Sequence, residues 1–255
     1  MIEQLDHIVI LADDLERAIA DYTALGFTVL RGGSHPGRGS HNALIAFADG
    51  VYLELIAFTR PEPGFRWWEV NSVAGEGLVD FALLPHDTAA AVAEAPARGV
   101  AYDGPNDGGR LRPDGQRLAW QTAQPPSSDL PFLCGDVTPR TLRVASGAAT
   151  EHANGAQGVA EVTVLVDDPA ASAARYRALL GGAAGFAEPA GAASGVAIAL
   201  GAAQIVLHSP ADTAGQELLA RRGQGPSAIR LRGPGPRRAL DAALTHGAAI
   251  AIGER

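Results

Sequence analysis

The sequence predicts an α+β fold built from tandem βαβββ modules, the last of them truncated. Three observations predict it. The opening segment recurs at a constant offset in the second half of the chain, alternating apolar runs enter helix-like stretches at four places, and hairpins of alternating strands follow those openings.

The first opening, Leu5 to Phe27, reads LDHIVILADDLERAIADYTALGF, and Val159 to Gly182 reads VAEVTVLVDDPAASAARYRALLGG. Asp13, Asp14, Tyr22, Ala24 and Leu25 fall on Asp167, Asp168, Tyr176, Ala178 and Leu179 without a gap. Each copy has an alternating apolar run, an acidic turn suited to capping a helix, and an amphipathic stretch ending in Gly. After the first opening, HNALIAF and VYLELIAF flank Ala48, Asp49 and Gly50, a hairpin signal. The second opening starts at Gly77, where GLVDFALLPHDTAAAVAEAPARGVAY gives a strand, a turn at Pro85 to Asp87 and an Ala-rich helix ending at Gly99. RLAWQTA and LPFLCG follow it. After the third, GVAIAL and QIVLHS flank Gly201. The fourth begins at Ser227 to Leu231, and its RRALDAALTHGAAIAIG is read as a helix and one more strand, His246 and Gly247 echoing Arg98 and Gly99. The expected organisation is residues 1–137 as the half carrying the site, 138–158 as a linker rich in small and polar residues, and 159–255 as a degenerate second half.

Composition limits the function. With 255 residues, 47% of them hydrophobic, the chain can bury a real core. A formal net charge of −8 argues against a nucleic-acid partner, which needs clustered Lys and Arg. No segment supplies the roughly 20 apolar residues of a membrane span, and the opening lacks a basic stretch leading into an apolar one, so a soluble cytoplasmic protein is expected. The single Cys134 excludes an intrachain disulfide and any zinc site of paired cysteines.

LDHIVILADDLERAIADYTALGF, followed by HPGRGSHNALIAF, YLELIAF and RWWEVNSVAGEGLVDFAL, resembles the glyoxalase-like branch of the vicinal oxygen chelate superfamily. The resemblance is strongest from Leu5 to Phe58, moderate from Arg66 to Asp136 and diffuse beyond. It implies that two modules pair into a cupped, half-open barrel with a divalent metal in the cup, held by residues of the first and last strand of each module.

Residue alternation points to the same cup. Ile8 and Ile10 suit packing against the helix, which turns His7 to the concave side, with Leu5, Val9 and Leu11 on its face and Asp6 on the other. Glu54, between Leu53 and Leu55, is a carboxylate in an apolar strand; its burial costs several kcal/mol unless a partner or metal compensates. Matching Asp87 to Asp14 places Asp80 on His7. His7, Glu54 and Asp80 are therefore the candidate metal ligands, and Glu54 and Asp80 the candidate catalytic groups. A fourth ligand, expected from Phe132 to Cys134, is missing apart from a thiol. One His with two carboxylates suits Mn or Mg best, with Ni, Zn or Fe as the resemblance also allows. The competing reading is that these groups bond only to one another and to water. No organic cofactor is expected.

Ligand contacts are expected from His35, His41 and Asn42 on the Gly-rich loop and the strand it enters, from Tyr52 beside Glu54, and from Arg66, Trp67 and Trp68. In the second half, Glu161 takes the His7 position, but apolar residues stand at the Glu54 position and Ala228 at that of Asp80, so that half is expected to be structural. Two functions follow. One is metal-assisted isomerase or lyase chemistry on a small oxygenated metabolite; the other is metal-free sequestration of a small molecule. The protein is expected to be a homodimer or a monomer.

Overall fold

A computed structural model describes residues 2–35, 37–112, 115–188 and 195–254; Pro36, in the Gly-rich loop, lies outside these. The first module comprises β1 (Ile2–Leu11), α1 (Leu15–Ala24), β2 (Leu30–Ser34), β3 (Ser40–Ala46) and β4 (Tyr52–Phe58). After α2 (Arg66–Ala74) comes the second: β5 (Gly77–Pro85), α3 (Thr88–Glu94), β6 (Asp103–Leu111), β7 (Arg117–Gln124) and β8 (Phe132–Asp136). A one-turn helix, α4 (Arg140–Arg143), leads to the third: β9 (Gly158–Leu165), α5 (Pro169–Leu180), β10 (Gly185–Ala187), β11 (Val196–Leu200) and β12 (Ala203–His208). Then follow α6 (Thr213–Arg222), β13 (Gly225–Arg232), β14 (Arg238–Ala239) and β15 (Ile250–Ile252).

The acidic turns start the helices as their residue types require. Asp14 caps α1 by accepting from the Glu16 and Arg17 amides, Asp168 caps α5 through Ala170 and Ala171, and Asp87 caps α3 through Ala90. At the end of α1 the chain turns at Gly26, whose φ of 87° favours glycine.

The eight-stranded sheet runs β2-β3-β4-β1-β5-β8-β7-β6, so the two modules join where β1 meets β5 antiparallel. The seven-stranded sheet, β10-β11-β12-β9-β13-β15-β14, repeats the plan with β9 on β13. Modules therefore pair first with second and third with fourth, each pair a curled half-barrel. The fourth departs from the sequence reading. Arg238 to His246 forms the two-residue β14 and a turn, with His246 at φ 54°, where a helix was expected. The Pro and Gly residues from Gly233 to Pro236 end β13, and the turn that follows is tied to the first half, the Tyr22 hydroxyl donating to the Thr245 carbonyl and His246 Nδ1 lying 2.7 Å from Glu76 Oε1. Two further helices, α2 and α6, precede β5 and β13 and pack on each other.

One core serves both sheets. Ile8, Ile10, Tyr22, Leu53 and Phe81 belong to the same buried cluster as Val162, Val164, Tyr176, Ile205 and Ile252. A separate cluster of Val9, Leu11, Ile56, Val79, Ala82, Phe132 and Cys134 lies on the opposite, concave face of the first sheet.

Candidate functional site

The concave face depends on an irregularity in β1. Leu5 and Ile8 both point into the helix-side core, although a regular strand separates same-face residues by two. The pairing with β5 shifts register between Leu5 and His7, a bulge that turns Asp6 and His7 together toward the cup. Alternation alone put Leu5 in the cup and Asp6 outside; the bulge reverses both. The same shift recurs in β9 between Val159 and Glu161, at the equivalent place in the repeat.

His7 Nδ1 lies 2.6 Å from Asp6 Oδ2, and its Nε2 lies 3.4 Å from Glu54 Oε2. The ring stacks on Tyr52 at 4.7 Å between centroids and meets the edge of Phe132 at 5.3 Å. Asp6 is fully buried and accepts a two-pronged contact from Arg143 at 2.7 and 2.9 Å, while Arg140 reaches its other side at 2.5 Å. Both arginines also hold Asp136, so α4 brings two guanidinium groups beneath β1.

Glu54 is 6% exposed. It accepts from Asn42 Nδ2 at 2.6 Å, and His35 Nε2 stands 3.9 Å away. His35 is itself fixed by Ser40 Oγ at 3.0 Å.

The charges follow from these contacts. Burial works against the Glu54 carboxylate, but His7, then His35 and Asn42, outweigh it and bring its pKa down to about 2. Burial works against the His7 cation as well, and Asp6 and Glu54 raise its pKa nonetheless. Asp6 is held well below the carboxylate range, because Arg143, His7 and Arg140 overcome its desolvation. His35 goes the other way, its burial lowering its pKa. The cup floor thus holds the His7 ring between two carboxylates that both favour its protonated form.

Around it lies a cavity of about 190 Å³, walled by Tyr52, Phe65, Trp67, Trp120 and Phe132, with Arg38 and Arg110 at its sides. Of the residues predicted from sequence, His7, His35, Asn42, Tyr52, Glu54 and Trp67 line it. His41, Arg66, Trp68 and Asp80 do not. His41 alternates with Ser40 and Asn42 along β3 and so faces away. Trp67 and Trp68 are on helix α2, where neighbours diverge by about 100°; Trp68 packs edge-on against Phe58. Arg66 donates at 2.7 Å to Asp80, which also accepts from Trp67 Nε1 at 2.9 Å and from the Phe81 amide. Asp80 is therefore spent on pinning α2 to β5 and does not join His7 and Glu54. Sequence reasoning missed Asp6, Arg110, Trp120 and Arg143. A larger open groove of about 680 Å³ borders the 140–157 segment. Its His152 is committed to structure, accepting from the Thr28 amide and lying 3.1 Å from the Ala46 carbonyl.

A model of the glyoxalase-like domain matches residues 5–180. The chain belongs to the glyoxalase-like domain family. Solved structures agree on the vicinal oxygen chelate fold. A hypothetical protein from Staphylococcus aureus superposes with a TM-score of 0.73 at 14% identity, over 98% of this chain and 99% of that one. A 4-hydroxymandelate synthase variant from Streptomyces coelicolor gives 0.59 at 16% identity, over 92% of this chain and 72% of that one. A fusion of a xylose isomerase-like TIM barrel with a 4-hydroxyphenylpyruvate dioxygenase gives 0.54 at 16%, over 92% of this chain and 37% of that one. At such identities the likeness is one of fold. No curated protein matches the sequence. No helix among the described residues is long and apolar enough to cross a membrane.

Members of the superfamily commonly hold a metal, and the donors of this glyoxalase-like cup can be weighed for one. With Asp80 engaged by Arg66 and Trp67, only His7 and Glu54 remain of the predicted set. Asp6, His7 and Cys134 do offer donor atoms within 4.8 Å of one another. However, Arg143 Nη1 sits among them, 2.7 Å from Asp6, 2.8 Å from the Tyr52 hydroxyl and 3.5 Å from Cys134 Sγ. Burial also pushes the thiol well above its usual range, away from the thiolate a metal requires. A divalent ion there would compete with a buried guanidinium for the same carboxylate, so these residues do not fit it.

Proposed function

We propose that this glyoxalase-like protein binds a small oxygenated metabolite in the N-terminal cup and that His7 and Glu54 move a proton on it without a metal. The observation that carries the proposal is the buried His7–Glu54 pair, with opposite pKa shifts, at the floor of an aromatic-walled cavity. A ligand carbonyl oxygen placed at His7 Nε2 takes the hydrogen bond that otherwise goes to Glu54. The carboxylate, losing its strongest partner, becomes a better base just where a carbon-bound proton arrives.

Glu54 then accepts the proton from the carbon beside the carbonyl. The electron pair of that C–H bond forms the new C=C bond, and the carbonyl π pair moves to oxygen, which the His7 imidazolium protonates or hydrogen-bonds. Where the deprotonated carbon carries a hydroxyl, His7 gives its proton to the former carbonyl oxygen and, now neutral, takes the proton of the hydroxyl. The O–H pair becomes the new C=O, and the C=C pair takes the proton back from Glu54 at the former carbonyl carbon, which completes an isomerisation with both groups restored. Asp6, fixed by Arg143 and Arg140, sets the orientation of the His7 ring and keeps it charged. Trp67 and Trp120 exclude water from the reacting atoms.

The test is metal analysis joined to ligand binding. Protein purified without chelator should carry no stoichiometric divalent metal, and EDTA should leave its melting temperature unchanged. Titration with glycolate as a minimal oxygenated probe should give saturable binding that His7→Ala and Glu54→Ala both weaken. Stoichiometric Mn or Mg that both substitutions abolish would establish the metal-assisted alternative instead. Tight binding of aromatic compounds that is indifferent to Glu54→Gln would favour sequestration.

A further inference from the structure

Behind Arg110 and Arg143 lies a second cavity of about 410 Å³ that the reading above does not use. Four of its lining residues are arginines, Arg31, Arg110, Arg112 and Arg143, and no acidic residue lines it among the described residues. In a chain whose formal net charge is −8, that concentration of guanidinium groups is anomalous. Three of them have work elsewhere. Arg31 pairs with Glu16 at the surface, Arg112 donates to the Leu142 carbonyl, and Arg143 holds Asp6 and Asp136.

Arg110 differs. It is 6% exposed, its Nη1 donates to the Gly32 carbonyl, and no carboxylate among the described residues forms an ion pair with it. A buried guanidinium whose one hydrogen bond goes to a neutral carbonyl, with the Glu54 carboxylate acting on it only at longer range, is costly, and an anion is the partner that would offset the cost. Arg110, Arg143 and Leu44 line this cavity and the cup alike, so the two chambers adjoin. A ligand whose oxygenated end lies at His7 and Glu54 can therefore extend past Arg110.

We infer that the second chamber is a phosphoryl-binding subsite centred on Arg110, so that the substrate is a small phosphorylated metabolite. The substrate assignment rests on the cup reading; the subsite does not. A phosphoryl group fits better than a carboxylate because it brings up to two charges and three free oxygens, enough to meet several guanidinium groups at once.

The experiment titrates the full chain with inorganic phosphate, followed by ³¹P line broadening and calorimetry, and then with phosphoglycolate, glycolate and succinate. Phosphate should bind saturably, about tenfold more weakly in Arg110→Gln, and no more weakly in Glu54→Gln, which removes a negative charge from beside Arg110. Arg31→Gln, at an exposed position whose loss does not threaten the fold, should weaken phosphate by about two- to fivefold. Phosphoglycolate should bind more tightly than either phosphate or glycolate.

Glycolate binding without phosphate binding would overturn the subsite and leave the cup reading standing. Arg110-dependent phosphate binding, with phosphoglycolate no tighter than phosphate, would keep the subsite and overturn the cup reading. Succinate matching phosphoglycolate would overturn the phosphoryl assignment in favour of a second carboxylate. Phosphate binding equally to wild type, Arg110→Gln and Arg31→Gln would remove the subsite altogether.

Discussion

Replacing Glu54 by Gln keeps the side-chain shape and the oxygen that accepts from Asn42, and removes the charge and the acceptor facing His7. The folded protein holds Glu54 at about 2, against an ordinary 4.5. A carboxylate lowered by folding stabilises the native state above its unfolded pKa and loses that contribution as pH falls toward the folded one. The contribution is thus complete above pH about 5 and declines between 4.5 and 2 by about 1.4 kcal/mol per pH unit, about 3 kcal/mol in all. His7 is protonated in the folded and unfolded chains throughout that acid window, so it adds no slope there. Urea denaturation of wild type and Glu54→Gln at pH 7, 5, 4 and 3.5 measures the difference directly. The gap in unfolding free energy measured at pH 5 should narrow by about 0.7 kcal/mol at pH 4 and about 1.2 kcal/mol at pH 3.5. Above pH 6 it should change again, because the variant also loses part of the support that raises His7. A gap independent of pH between 5 and 3.5 would refute the claim that Glu54 is a buried, charged partner of His7.

Asp6→Asn should be more damaging than Glu54→Gln, because it leaves Asp136 as the one carboxylate shared by Arg143 and Arg140 and takes the charged partner from His7 Nδ1; a loss of about 3–5 kcal/mol is expected by chemical denaturation. Gly108→Ala should act on the cup more than on the fold. A Cβ there would come within 2.3 Å of Trp120 Nε1, so the indole must move from the wall, and glycolate affinity should fall with a stability cost of about 1–3 kcal/mol. Trp67→Phe removes the indole donor to buried Asp80 and should lower stability by about 1–2 kcal/mol, with Arg66 retaining its contact. Tyr22→Phe and Tyr176→Phe should each cost about 1 kcal/mol, since each deletes one buried hydroxyl contact to a carbonyl of the opposite half.

The repeat was legible because it rests on local rules. Strand alternation and an Asp at the helix start recur with the same spacing, a Gly at the helix end recurs within one residue of it, and each does in the fold what its chemistry implies. Glu54 was legible for a related reason, as a carboxylate among Leu residues has to be explained. Asp6 was hidden because a bulge has no residue signature of its own; the only cue was that both β1 and β9 carry it at the same place. Arg140 and Arg143 stand in a segment of small and polar residues that reads as a linker, although two arginines three apart beside Asp136 were a signal that it was anchored. Arg110 lies on β6, whose DGPNDGGRL looks like a loop, and becomes a site residue only when β7 pairs with it. The fourth-module helix failed because apolar periodicity does not register the Pro and Gly residues from Gly233 to Pro236 or the contacts that hold Thr245 and His246 against the first half.

The C-terminal half looks dispensable, with Val206 at the place of Glu54 and Glu161 engaged by Gln204 and Arg230. The buried hydroxyls argue otherwise. Tyr22 and Tyr176 hold equivalent positions in the repeat, and each crosses to the other half, to Thr245 and Asp129 respectively. Arg175 adds two contacts to the buried Asp129 carboxylate. The helices therefore form a shared layer between the two sheets, and removing one half exposes the apolar face of the other. Both halves carry the side chains that close this layer. Hence the second half carries the same Tyr, capping Asp and bulge, while Glu161 stands in place of His7 and Val206 in place of Glu54.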